Sequence, residues 1–109
     1  VATVPGTGAY AASEGAIVSL SRQLAVEYAD EGIRANSVVI GSVDTKMSEE
    51  HGRALARDSV HVDPPDGAVG RMAAPAEIAR AVRFILSDDA SFVTGAAMTV
   101  DGGLTSRLM

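Results

Sequence analysis

Two short β-prone runs, residues 33–40 (IRANSVVI) and 96–101 (AAMTVD), are separated by helix-forming sequence, and each ends at glycine, Gly41 in the first case and Gly102 with Gly103 in the second. Strands joined through a helix run in the same direction and are linked by a right-handed crossover. A parallel sheet is covered on both faces, and two strands are too few to make one. The chain is therefore read as α/β, the C-terminal portion of a Rossmann-like, doubly wound parallel sheet in the order helix, strand, helix, strand, incomplete on its own. Residues 1–109 form one partial domain with no internal repeat.

The helices follow from apolar spacing. No proline interrupts residues 11–31, and Ile17, Leu20, Leu24 and Tyr28 recur at intervals of three and four. A second face carries Ala12, Gly15, Ser19 and Val26, and Glu14 is the sole ionisable side chain between Tyr10 and Arg22. That pattern predicts burial of the first turns on more than one side. Gly32 falls where a C-capping glycine belongs. Residues 44–57 are expected to hold a short amphipathic helix with Met47 and Leu55 inward, and residues 58–73 a loop. Pro75 fits the first turn of the last helix. Its buried stripe is Ile78, Val82, Ile85 and Leu86, with Glu77, Arg80 and Arg83 facing water and Asp88 and Asp89 as its stop.

Composition narrows the function. Alanine and glycine make up 30 of the 109 residues, while the chain is 47% hydrophobic and 21% charged. Such a chain buries a core, but small side chains remove little area from water, so part of its apolar surface is expected to need a partner. Without cysteine there is no disulfide, thiolate metal site or cysteine nucleophile. A net charge of −5 argues against a nucleic-acid partner. No run of 18 apolar residues predicts a membrane span, and no basic segment leading into an apolar one marks a signal peptide, so a cytoplasmic location is expected. His51 and His61 suggest no ligand spacing, and no metal is expected. Gly6-x-Gly8-x-x-Ala11 fits the dinucleotide fingerprint G-x-G-x-x-G/A in letters only. Little chain precedes it to form the strand it needs, and Asp30 and Glu31 end a helix.

A more specific signal begins at Tyr10. The run Tyr10-Ala-Ala-Ser13-Glu14-Gly15 resembles the active-site helix of the short-chain dehydrogenase/reductase family, usually Tyr-x-x-x-Lys. Leu24-Ala-Val-Glu27 and Gly32-Ile-Arg-Ala-Asn36 resemble its next helix end and strand. Ile40-Gly41-Ser-Val43-Asp-Thr45-Lys-Met47 is similar to its Pro-Gly-x-Val-x-Thr-x-Met loop. Gly70-Arg71-Met-Ala73 with Pro75-Ala-Glu77-Ile-Ala79, and Val100-Asp101-Gly-Gly103, match its last helix start and closing strand. The matches cover nearly the whole chain, in the family's order.

The resemblance implies an NAD(P)-dependent oxidoreductase that moves hydride between a nicotinamide cofactor, NAD or NADP, and a small carbonyl or alcohol. Tyr10 is then the proton donor or acceptor, and Gly41, Val43 and Thr45 lie against the nicotinamide. Read without a ligand, the same three residues are a strand-to-helix turn with Thr45 as N-cap. Glu14 stands where the family has lysine, a departure at the decisive place. A carboxylate one helical turn from a phenol disfavours the phenolate, whereas a lysine favours it, although Glu14 can still accept a hydrogen bond from a ribose hydroxyl. Glu14 is either this altered active-site position or an ordinary exposed charge. Ile40 replaces the family's proline, an expected loosening ahead of Gly41. The family's catalytic serine and glycine-rich phosphate loop would fall before Val1, so the isolated chain is expected to be inactive. The rival expectation is a non-catalytic dimerising or domain-swapped module. Both expect a homo-oligomer, dimer or tetramer.

Overall fold

The computed structural model describes residues 5–57 and 68–106. Residues 1–4, 58–67 and 107–109, and with them the apolar N-terminal piece, most of the expected loop and His61, lie outside the described residues, as do the side chains of His51 and Leu55. The regular elements are α1 (Gly8–Glu27), β1 (Ser37–Ile40), α2 (Lys46–Arg57), α3 (Pro75–Leu86) and β2 (Ala97–Val100). β1 and β2 are hydrogen-bonded neighbours in one sheet. The Ser37 N–H donates to the Ala96 carbonyl at 2.9 Å and the Gly41 N–H to the Val100 carbonyl at 3.1 Å. Residue 41 follows 37 as 100 follows 96, a register that only parallel strands keep. The architecture is α/β with a parallel sheet, as the two strand runs and their intervening helices require.

The described residues divide into two compact units, residues 5–39 with 82–99, and residues 40–57 with 68–81 and 100–106. In the first, α1 is long because nothing within it breaks the backbone ladder. The hydroxyls of Ser13 and Ser21 donate back to the Tyr10 and Ile17 carbonyls at 2.7 and 2.9 Å, so neither competes for a helical N–H. The helix stops at Glu27, short of the expected Glu31, and a 3-10 turn, Ala29–Glu31, continues it. Gly32 then adopts φ 73°, its N–H donating to the Ala29 carbonyl at 3.0 Å and that of Ile33 to the Tyr28 carbonyl at 3.3 Å. This crossed pair is the Schellman closure, and a left-handed residue is what it requires. The acidic pair Asp30 and Glu31 thus sits in a helical turn and not at a strand end.

Arg34 ties the first unit together. Its guanidinium donates to the carbonyls of Ile85 at 2.9 Å, Val93 at 3.0 Å and Ser87 at 3.3 Å. Two of these belong to the C-terminal end of α3 or the residue after it, where carbonyls lack helical partners. The Asn36 amide joins the same segment, donating to the Val93 carbonyl at 2.9 Å and accepting the Ala96 N–H at 3.0 Å.

Packing around this frame is thin. Among the described residues the buried apolar side chains are Ala25, Ile85 and Ala90. The two-sided burial expected for α1 is not found: Ile17, Val26 and Leu20, the last 56% exposed, remain open to solvent. The apolar spacing is real, but among the described residues no layer faces the bulky side chains of α1. Leu86, expected in the α3 stripe, is 74% exposed at the helix end, while Ile85 is buried and Ile78 and Val82 half-buried. α3 ends there, and Asp88–Ala90 forms a 3-10 turn at the expected stop.

Candidate active site: the 41–45 loop and the Tyr10 helix face

In the second unit, the segment leaving β1 is held from two sides. Gly41 continues the sheet by one residue through its bond to Val100, so replacing the family's proline with Ile40 does not free the loop there. Two residues later a single parallel bridge joins Val43 to Ala73. The Ala73 N–H donates to the Ser42 carbonyl and the Asp44 N–H to the Ala73 carbonyl, both at 2.9 Å. In a parallel bridge the middle residue keeps its own N–H and C=O pointed away from its partner. Among the described residues, neither the N–H nor the C=O of Val43 takes part in a hydrogen bond.

Thr45 closes the loop as the N-cap of α2. Its Oγ1 accepts the Ser48 N–H at 3.2 Å, and Ser48 Oγ accepts the Thr45 N–H at 3.0 Å, a reciprocal pair of the capping-box type. The start of α2 is thus fixed by this cap. Met47, expected to point inward, is 68% exposed.

The bridge partner is itself anchored. Arg71 donates two parallel bonds to the Glu77 carboxylate, Nη1 to Oε1 at 2.7 Å and Nη2 to Oε2 at 3.0 Å. The same Oε1 accepts the Ala74 N–H at 3.0 Å at the start of α3. Glu77, expected to face water, is therefore a bound, half-buried anion. The Arg71 bonds, with the Ala74 N–H behind them, lower its carboxyl to about 2 from an ordinary 4.5. At the other end of the unit, Asp101 collects the Thr105 hydroxyl at 2.6 Å and the N–H groups of Thr105 and Gly103 at 2.8 and 2.9 Å. These bonds, that of the Thr105 hydroxyl foremost, hold its carboxyl below the usual range. A cavity of about 160 Å³ opens among Ser42, Arg71, Ala73, Glu77, Val100 and Asp101. Enclosing sites for small molecules usually start near ~300 Å³, so this cavity is too small to enclose one.

Tyr10 and Glu14 lie on the first two turns of α1, four residues apart and so on one helix face. Tyr10 is 58% exposed and Glu14 half-buried. The expected residues thus fall in two groups, Tyr10 with Glu14 on α1 of the first unit, and Gly41, Val43 and Thr45 on one loop of the second. Sequence reading overlooked the Arg71–Glu77 pair, although bidentate pairing of an arginine with an acid in a helix's first turn is a recognisable signal.

A parallel sheet whose strand end feeds a clamped, glycine-led loop into a capped helix defines the C-terminal portion of a Rossmann-like fold. The chain belongs to the short-chain dehydrogenase/reductase family. A family model described as Enoyl-(Acyl carrier protein) reductase matches residues 1–105. The 2-(S)-hydroxypropyl-CoM dehydrogenase 3 of Xanthobacter autotrophicus is 41% identical over 114 residues, covering 94% of this chain and 41% of that protein. A short chain dehydrogenase family protein from Francisella tularensis superposes with a TM-score of 0.84 at 33% identity, over 96% of this chain and 46% of that one. A 4-hydroxyisoleucine dehydrogenase complexed with NADH does so with a TM-score of 0.76 at 31% identity, over 92% and 40%. The chain spans less than half the length of each.

Proposed function

We propose that residues 1–109 are part of a single Rossmann domain that transfers hydride between a nicotinamide cofactor and a small carbonyl or alcohol. The observation that carries this reading is Val43: a fixed loop offers one N–H donor and one C=O acceptor from the same residue, both open. A nicotinamide carboxamide has the complementary acceptor and donor, so the residues present fit the group. When bound, the nicotinamide supplies or takes up the hydride.

The chain's own residues then divide the remaining work. Val43 orients the carboxamide through its backbone. Gly41 and Thr45 hold the loop on either side of it and lie against the same ring. The Tyr10 phenol, exposed on α1, gives or takes the proton on the substrate oxygen. Glu14 accepts a hydrogen bond from a ribose hydroxyl, and no lysine stands at that position to favour a phenolate one turn away. For that reason the chain by itself binds cofactor without turning over. Either NAD or NADP satisfies the contacts described, since both carry the same nicotinamide. The absence of cysteine suits a reducing, cytoplasmic setting.

Calorimetric titration of the chain with NADH tests the reading. Heat that is lost when Val43 is replaced by proline, which removes its N–H, supports it; no heat with the unaltered chain overturns it. A second reading, a dimerising module without chemistry, is favoured by the exposed Ile17, Leu20 and Val26 on α1. Both readings include a homo-oligomer, and a monomer in a sizing measurement would count against that shared element.

A further inference from the structure

We propose that Arg71 and Glu77 act together as a positioning pair for the nicotinamide-facing loop 41–45, an inference that rests on the reading of that loop given above. The argument is a short chain of contacts within one unit. Glu77 stands in the first turn of α3 and receives both Arg71 nitrogens and the Ala74 N–H. Arg71 Nη1 also donates to the Met72 carbonyl at 3.2 Å. Residues 71 and 74 are thereby tied to one carboxylate, and the peptide between them has little room to shift.

Ala73 lies inside that tie, and it is the residue that makes both bonds to the loop, accepting from Asp44 and donating to Ser42. Where Ala73 sits decides where the peptides on either side of Val43 sit, and so the direction in which the Val43 N–H and C=O point. Neither Arg71 nor Glu77 needs to touch a ligand for this. They act through Ala73. The pair is partly open to solvent, its side chains 58% and 39% exposed, so salt weakens its Coulombic part.

The test reads the loop directly, by amide hydrogen exchange, and then its binding of NADH. In Glu77→Gln the charge is lost while an acceptor for the Ala74 N–H remains. Exchange at Asp44 and Ala73 is expected to quicken roughly tenfold, as loss of a charge-assisted tie permits. Exchange at Ser37 and Gly95, whose bonds lie in the other unit, should stay within about twofold of the unaltered chain, independent as distant sites are. The NADH dissociation constant should rise roughly tenfold, as the same loss of a charge-assisted tie permits. Unchanged exchange at Asp44 and Ala73 overturns the proposal, and so does an equal rise at all four amides, which marks a general loss of structure.

Should Glu77→Gln not fold, the unaltered chain compared between low salt and about 1 M salt, where the screening length falls to about 3 Å, gives the same discrimination. Selective quickening at Asp44 and Ala73 supports the pair, and its absence overturns it. Failure of the unaltered chain to bind NADH overturns the functional reading of the loop alone, because the exchange pattern decides the hold of the pair without any cofactor.

Discussion

Gly41 lies so close against Asp101 that a Cβ built on it meets both the Cα and the Cβ of Asp101 at 2.8 Å. Side chains do not pack at that distance, and the obstacle is backbone, which cannot swing aside. Glycine at the mouth of the proposed cofactor loop is therefore demanded by the closing strand before any ligand is considered. The Asp101 backbone is in turn pinned by its carboxylate bonds to Thr105 and Gly103.

Gly41→Ala is accordingly expected to destabilise the chain by about 1–3 kcal/mol, the usual cost of overpacking. Gly15 is the control. It sits inside α1 with nothing within 4 Å of a built Cβ, so Gly15→Ala should stabilise by about 0.5–1 kcal/mol. Urea unfolding of the two variants checks both signs.

Arg34→Lys should destabilise by about 1.5–3 kcal/mol, because a single ammonium cannot reach the three carbonyls that the planar fork of Arg34 spans. The loss should appear as faster amide exchange at Gly95, whose N–H donates to the Ala35 carbonyl at 2.7 Å beside it.

The pH dependence of stability follows from Glu77. Its carboxyl is lowered in the folded chain, from 4.5 to about 2. A group depressed by folding contributes fully above its unfolded value and loses that contribution as pH falls towards its folded one. The Arg71 pair should thus be intact at neutral pH, and its contribution should fade between about 4.5 and 2. Carbon-detected NMR titration should find the Glu77 midpoint near 2, and in Arg71→Gln it should move up towards 4.5.

Glu14→Lys puts a cation one helical turn from Tyr10, and a cation at that spacing favours a phenolate. Placed in a polypeptide carrying a complete nucleotide-binding domain of this family, the substitution should raise ketone reduction by roughly a hundredfold, within the range general acid–base catalysis supplies. Initial rates of NADH oxidation measure it, and an unchanged rate would remove the electrostatic account of position 14.

Thr45→Ala removes the hydroxyl that accepts the Ser48 N–H. Loss of such a cap should cost about 1 kcal/mol of stability and fray the start of α2. Helical content by circular dichroism, followed through thermal unfolding, reports the change.

Local features were legible from the residues alone. Gly32 caps its helix because the Schellman closure involves only the six residues around it, and Thr45 caps α2 through a partner three positions away. Pro75 starts α3, and the two strands pair in parallel, joined through the helices that such a crossover needs. The burial of Leu20, Leu86 and Met47 was misread, because periodicity reports which face of an element is apolar and not whether another surface meets it.

The order of elements, their caps and the parallel sense of the strands were thus determined by the sequence, through interactions that span a few residues. Only the tertiary structure decided that Gly41 is fixed by Asp101 sixty positions away, that Arg34 serves the end of α3, and that Glu77 is an anion bound by Arg71 and the Ala74 N–H. Each of these depends on chain segments meeting in space, at distances where a single Cβ or one misplaced donor changes the outcome. No spacing along the chain records that meeting.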